Sequence, residues 1–409
     1  MPAPPPSLAP SAAPSVPATP AGFLRPADGE TAELSWDGRR WLAAGEPIGD
    51  HPDGPDVLDV LDGPGHPDRP DRTVTAVTVD AADVARLRPL RGLAVRWPTS
   101  RVPSGVVTAL AAAGVPLYAE TSPGWADPVL ARLLAAWTPE QDTGGPRSVT
   151  ALRREEQSVR LRRHGLRDHA GAGGPSAAEP EVSVVMASRR PHLLGFALGQ
   201  IARQRRVRVE VLLGLHGVPA DDERVRRAVG ECGLPVTVVE ASREIPFGQV
   251  LNLAASRAGG DHLAKWDDDD WYGPEHLADL LLARSYSGAE IVGTAAEFFH
   301  LEPLNATIRR TDYSSEVWSE HVAGGTILIR RDDLADLGGF PPLPRAVDAG
   351  LLKAAHAAGA RAYRTHGLGY VLRRTIEAEH TWRLPLAHFL RVASNQWRGF
   401  RPSLILETP

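Results

Sequence analysis

Between residues 182 and 266 short apolar runs alternate with amphipathic stretches, in the rhythm of strand and helix. VSVVMAS (182–188) is almost continuously apolar, the pattern of a strand buried on both faces of a parallel sheet. RPHLLGFALGQIARQ (190–204) then places Leu194, Ala197, Leu198 and Ile201 on one helical face. Strand VEVLLGLHG, helix DDERVRRAVGEC, strand PVTVVEA, helix GQVLNLAASRAGG and strand DHLAKW follow in order. Repeated units of this kind predict a mostly parallel sheet with helices on both sides. Ligands of such sheets bind beyond the carboxyl ends of the strands.

Ahead of this region the pattern is weaker. TVTAVTVDA (73–81) alternates like a strand, ADVARLRPL (82–90) suits a helix, and GLAVRWP (92–98) a further strand. PSGVVTALAAAGVPLYAE (103–120) reads as helix then strand, with Pro103 opening the helix and Gly114 closing it. Residues 24–146 are therefore expected to form a small α/β domain. SVTALRREEQSVRLRRHGLRDHA (148–170) mixes helical apolar spacing with many charges, and is expected to be a solvated linker helix ending in the flexible GAGGPSAAEPE. The linker spans 147–180, the second domain 181–382 and a tail 383–409. Residues 1–23, rich in Pro, Ala and Ser, read as a disordered arm without the basic start and apolar core of a secretory signal.

Composition narrows the class without naming a chemistry. The 409 residues are 43% hydrophobic and 23% charged, ordinary for a globular protein with room for two or three domains. A formal net charge of -5 gives no reason to expect nucleic acid as a partner. One cysteine, Cys232, excludes an intrachain disulfide and a thiolate zinc cluster, and fits a cytoplasmic setting. No apolar run approaches the ~20 residues that span a bilayer. The tail LAHFLRVASNQWRGFRPSLIL mixes basic and bulky apolar residues, a pattern open to docking on its own domain or to peripheral contact with the inner face of a membrane.

The chemistry concentrates in AKWDDDDWYGPEHL (264–277), where Asp267, Asp268, Asp269 and Asp270 stand between Trp266 and Trp271. Adjacent carboxylates repel by about 1 kcal/mol per close pair even in water. Helix capping ahead of Pro274 would use one or two of them. A divalent cation accounts for more, and hard oxygen ligands suit Mg2+ or Mn2+ seated on a substrate's phosphates. The two tryptophans are expected to anchor the loop by packing.

These segments, taken in order, resemble a family-2 glycosyltransferase of the GT-A fold over residues 182 to about 382. VSVVMASRRPHLL resembles the opening strand and nucleotide loop. FGQVLNLAASRAGGDHLAKWDDDDWYGPEHL resembles the Asn-containing helix and Asp-x-Asp motif, and GGTILIRRDDLADLGGF the strand and Gly-Gly-Phe turn before the acceptor site. The resemblance implies a nucleotide-sugar donor, a carbohydrate, lipid-linked or other hydroxyl acceptor, and an inverting transfer in polysaccharide, cell-envelope or glycoconjugate synthesis. It implies that Asp269 and Asp267 bind Mn2+ or Mg2+, with Asp267 or Asp268 facing the ribose or a metal-bound water. Ser188, Arg190 and Asn252 match nucleotide-contacting positions, although Ala187-Ser188 stands where the family more often has Pro-Thr or Pro-Ser. For Asn252 a plain helix–loop hydrogen bond is the alternative.

Asp348, in PRAVDAGLLKAAHAAGAR, matches the position of the catalytic base, with a helix N-cap as its alternative role. In GYVLRRTIEAEHTW the resemblance implies that Arg374 and Trp382 close over the donor diphosphate and that His380 reaches the metal. A nucleotidyltransferase would want a Gly-rich phosphate loop, and ASRRPHLL has no glycine before Gly195. A non-catalytic binding protein would have no need of Asp267, Asp269 and Asp348 together.

Overall fold

The computed structural model describes residues 29–48, 79–141, 148–169, 179–375 and 384–407. The chain divides into two compact units, one ending and the other beginning between residues 169 and 179.

The first unit is a small α/β layer. Its strands are β1 (Thr31–Trp36), β2 (Trp41–Ala43), β3 (Glu46–Pro47), β4 (Gly92–Arg96) and β5 (Leu117–Tyr118), and its helices α1 (Ala81–Leu87), α2 (Gly105–Ala112), α3 (Pro128–Ala135) and α4 (Val149–His169). The sheet order is β3-β2-β1-β4-β5, with β1, β4 and β5 parallel. Leu34, Leu93, Val107 and Leu110 are fully buried in its core. The expected elements at 82–90, 92–98 and 103–120 are present, and Gly114 (φ +77°) ends the α2 turn. The expected strand at 73–81 lies outside the described residues except for its last three.

Helix α4 corrects the expectation of a solvated linker. It packs on α2 and α3, and Leu161 joins the core. Gly165 meets α2 so closely that a Cβ would lie 2.5 Å from the Ala112 nitrogen. Its charges belong to a docked helix: Arg153 Nη1 lies 2.6 Å from the buried Glu156, and Gln157 donates to the Leu133 carbonyl.

The second unit is mixed α/β. In chain order it comprises β6 (Glu181–Ser188), α5 (Leu194–Ala202), β7 (Arg208–His216), α6 (Glu223–Glu231), β8 (Val236–Ala241), α7 (Phe247–Ala255), β9 (His262–Trp266), β10 (Trp271–Tyr272), α8 (His276–Ser287), β11 (Ile291–Thr294) and β12 (Phe298–Leu301). Then come β13 (Ala306–Arg309), β14 (Val317–Trp318), β15 (Leu328–Arg330), α9 (Arg331–Asp336), α10 (Val347–Ala357), β16 (Ala362–Thr365), β17 (Tyr370–Arg374), α11 (Leu386–Val392) and β18 (Asn395–Arg398). The main sheet runs β14-β16-β11-β15-β9-β6-β7-β8, and all but β14 and β15 point the same way. Thus the strand–helix rhythm of 182–266 does produce the expected parallel sheet.

Strand β6 is buried from Val182 to Ser188. Val185 and Ala187 join Val250 and Leu251 of α7 and Leu351 of α10 in one core. Strand alternation turns Val184 and Met186, both unexposed, to the opposite face.

A second sheet, β10-β17-β12-β13-β18, holds the short strand that follows the aspartate run. The tail belongs to this unit rather than standing apart from it. Its β18 pairs with β13, and Phe389 of α11 is fully buried with Phe299, Leu301 and Ile308. Ile405 and Leu406 are also buried, so much of the tail's apolar surface faces inward. No helix among the described residues is long and apolar enough to cross a membrane.

Candidate active site

The aspartate run leaves the carboxyl end of β9 and returns through β10, which pairs antiparallel with β17. Packing holds both ends. Trp266, 1% exposed, stacks on Tyr272 with ring centroids 3.7 Å apart. Trp271 lies among Phe196, His300 and Phe400. The tryptophans are therefore loop anchors. Tyr272 also closes the loop by hydrogen bonds: its hydroxyl accepts from the Asp267 N–H at 3.0 Å and donates to the Gly325 carbonyl at 3.0 Å. The run does not cap α8, which begins at His276, two residues past Pro274.

Each carboxylate has its own partners. Asp268 is 4% exposed; it accepts from Ser188 Oγ at 2.5 Å and is paired with the Arg190 guanidinium. Burial pushes its carboxyl above the usual aspartate range, against the pull of Arg190. Arg190 Nη1 reaches Asp269 Oδ2 at 2.9 Å. Asp270 accepts from the Tyr370 hydroxyl at 2.5 Å and the Arg373 N–H at 2.9 Å. Burial, then Asp269 and Asp267, hold the Asp270 carboxyl well above its ordinary value. A carboxylate that buttresses β17 in this way serves the loop's architecture.

Asp267 faces a different group. Lys265, on β9 with its side chain 2% exposed, places Nζ 2.6 Å from Asp267 Oδ1 and 3.2 Å from Asp348 Oδ1. Burial works against the ammonium, but the two carboxylates outweigh it and hold its pKa above the usual lysine range. Asp348 sits in the first turn of α10; the N-cap is Ala346, so the capping role does not apply. Its side chain keeps 31% of its surface open. Burial, opposed by Lys265 and aided by Asp267, raises its carboxyl above the usual range. The Gly324-Gly325 turn makes room for both acids: a Cβ on Gly324 would lie 2.2 Å from Asp348 Oδ2, and one on Gly325 2.6 Å from Asp267 Oδ2.

The structure thus brings together Ser188, Arg190, Asp267, Asp268, Asp269 and Asp348 from segments up to 160 residues apart in sequence. Arg374 is 8% exposed, over the Phe389 ring at 5.2 Å. Burial lowers its pKa, while nearby Asp269 and Asp270 oppose that shift, so it borders the run. Asn252 makes the helix–loop bond: its amide donates to the Phe340 carbonyl at 2.8 Å and accepts from the Phe340 N–H at 2.7 Å. His380 and Trp382 lie outside the described residues.

Sequence reasoning passed over Lys265 and the Gly324-Gly325 turn. The signal for the first was a lysine inside an apolar strand, two residues before a carboxylate; charged side chains are seldom buried unless paired.

Among the described residues no three His, Cys, Asp or Glu side chains converge on one metal position. Part of the charge balance expected of a cation is provided by Arg190 and Lys265. The hard oxygens of Asp267 and Asp269 nevertheless fit an ion such as Mg2+, which commonly takes one or two carboxylates and completes its shell with water and phosphate.

No family model matches the chain, and no curated protein matches it. Solved structures do. The mannosyltransferase PcManGT from Pyrobaculum calidifontis, in complex with GDP-Man and Mn2+, is similar at 20% identity over 50% of this chain and 59% of that one, with a TM-score of 0.40. TarS 1–349 from S. aureus, in complex with UDP-GlcNAc, is 17% identical over 52% of this chain and 64% of that one, with a TM-score of 0.39. GalNAc-T7 with UDP, GalNAc and Mn2+ is 13% identical over 53% and 48%, with a TM-score of 0.40. In each case the chain spans less than two thirds of the matched structure.

Proposed function

We propose that the second unit is a GT-A glycosyltransferase that moves a sugar from a nucleotide-diphosphate donor to an acceptor hydroxyl, with inversion. The observation that carries this reading is the convergence of Asp267 and Asp348 on the Lys265 ammonium. It supports one site made from the Asp-x-Asp loop at a strand's carboxyl end and a partly open carboxylate across from it.

Asp348 is the base in this reading. The acceptor oxygen bonds to the anomeric carbon as that carbon's bond to the diphosphate oxygen breaks. The acceptor's proton passes to Asp348, and the negative charge leaves with the nucleotide diphosphate. A carboxyl raised above its ordinary pKa is the stronger base. Asp267 and Asp269 would hold Mn2+ or Mg2+, and the bound ion would stabilise charge on the departing diphosphate. Arg374, beside the run, is suited to pair with phosphate oxygens.

A thermal-shift panel tests the reading, using GDP, UDP and their sugars, each with and without Mn2+. A donor should raise the melting temperature by mass action, and Asp269→Ala should abolish the Mn2+-dependent part. If no nucleotide or nucleotide sugar shifts the wild type, or if Asp269→Ala keeps the full Mn2+ effect, the assignment is wrong.

A further inference from the structure

We infer that Lys265 is a positioning residue that couples the aspartate loop to the base, setting where Asp348 stands relative to Asp267. The inference rests on the glycosyl-transfer reading above. It goes beyond that reading by giving a role to a lysine whose side chain is 2% exposed and whose partners are the two acids themselves.

The geometry is specific. Lys265 issues from the middle of the main sheet, where β9 is flanked by β6 and β15, so its backbone is fixed by strand pairing on both sides. Its side chain is 2% exposed and lies 2.6 Å from one carboxylate and 3.2 Å from the other. The Gly324-Gly325 backbone lies close to both acids, near the Oδ2 atom of each. Among the described residues the buried Asp348 Oδ1 makes no hydrogen bond of good geometry, and the Lys265 ammonium faces it at 3.2 Å. Removing the ammonium would leave two like charges facing each other across the space that Nζ now fills, each on a side chain about a third exposed, with nothing between them to offset their repulsion. Asp348 would turn away or be neutralised, and the loop carrying Asp267 would lose its tie to α10.

A lysine that only props the fold would slow transfer by the same factor whatever stands at position 348. One that acts through Asp348 matters only while Asp348 is the base. The test is a double-mutant cycle with Lys265→Met and Asp348→Asn, read as single-turnover transfer at saturating donor and acceptor. Nucleotide affinity and melting temperature are measured alongside.

Lys265→Met should slow transfer by about 100-fold in the wild-type background and by less than about 3-fold beside Asp348→Asn. Equal losses in both backgrounds, or a Lys265→Met protein that transfers at the wild-type rate, would overturn the inference. Should Lys265→Met fail to fold, Lys265→Gln goes through the same cycle with the same two outcomes. The two proposals fail differently: a wild type that neither binds nor uses any nucleotide sugar sinks glycosyl transfer, whereas an active wild type with an additive cycle sinks only the role of Lys265.

Discussion

Gly324 lies against the carboxylate of Asp348 so closely that a Cβ would fall 2.2 Å from Oδ2. Since Lys265 Nζ is 3.2 Å from the other oxygen, Oδ1, the acid is held between a backbone and an ammonium. Gly324→Ala should push Asp348 out of that position. A shift of about 1 Å at a reacting group can cost about 100-fold in rate. The expected outcome is a loss of transfer of that order, with nucleotide affinity within about 3-fold of wild type. Steady-state kinetics beside calorimetric titration would check it. An unchanged kcat would mean that Asp348 is not the base or that the turn yields freely.

How far this site is legible in the sequence depends on which contacts are local. Strand β6 announces itself, because a strand buried on both faces is almost continuously apolar, as 182–188 is. The aspartate run stands out for the same kind of reason: charge of that density needs an explanation. Its division of labour does not stand out. Asp268 and Asp270 differ only in which distant residue they meet, Arg190 in one case and Tyr370 in the other, 100 positions away. Asn252 is a similar case, since its partner Phe340 is 88 residues on. Helix α4 misleads because its charges suggest water, whereas Gly165 and Leu161 dock it on neighbouring helices.

Arg190→Met tests the counter-ion of the run. It leaves Asp268, with a side chain 5% exposed, without its guanidinium. Breaking a buried pair from one side costs about 3 kcal/mol or more. Urea unfolding should show a loss of about that size, partly recovered by adding Asp268→Asn. A loss below about 1 kcal/mol would mean that the pair is well solvated.

The two bonds from Asn252 to Phe340 predict a structural phenotype. Asn252→Ala leaves a donor and an acceptor of the Gly-Gly-Phe turn unpartnered, at a cost of about 2 kcal/mol. Nucleotide affinity should stay within about 2-fold of wild type once the variant is folded. A selective loss of affinity without loss of stability would return Asn252 to the nucleotide site.

Stability should also fall in mild acid, through His276. The ring is 3% exposed, close to Trp266, Tyr272 and Tyr370. Burial pushes its pKa from 6.5 down to about 3, with Asp279 opposing. Below pH 6.5 the unfolded chain therefore binds a proton that the folded form refuses. The stabilising effect of keeping this ring neutral is complete above pH 6.5 and is lost as pH falls toward 3, by about 1.4 kcal/mol per unit. Asp268, Asp270 and Asp348, raised by burial, act in the opposite sense: each costs stability as pH rises above the ordinary aspartate range. His276→Phe keeps an aromatic ring where Nε2 has no hydrogen-bond partner and leaves those acids in place. The difference in unfolding free energy between wild type and His276→Phe isolates the histidine. Measured in urea from pH 7.5 to 5, that difference should be flat above pH 6.5 and then move steadily in favour of the variant. A constant difference across the range would mean that His276 accepts a proton within the folded protein.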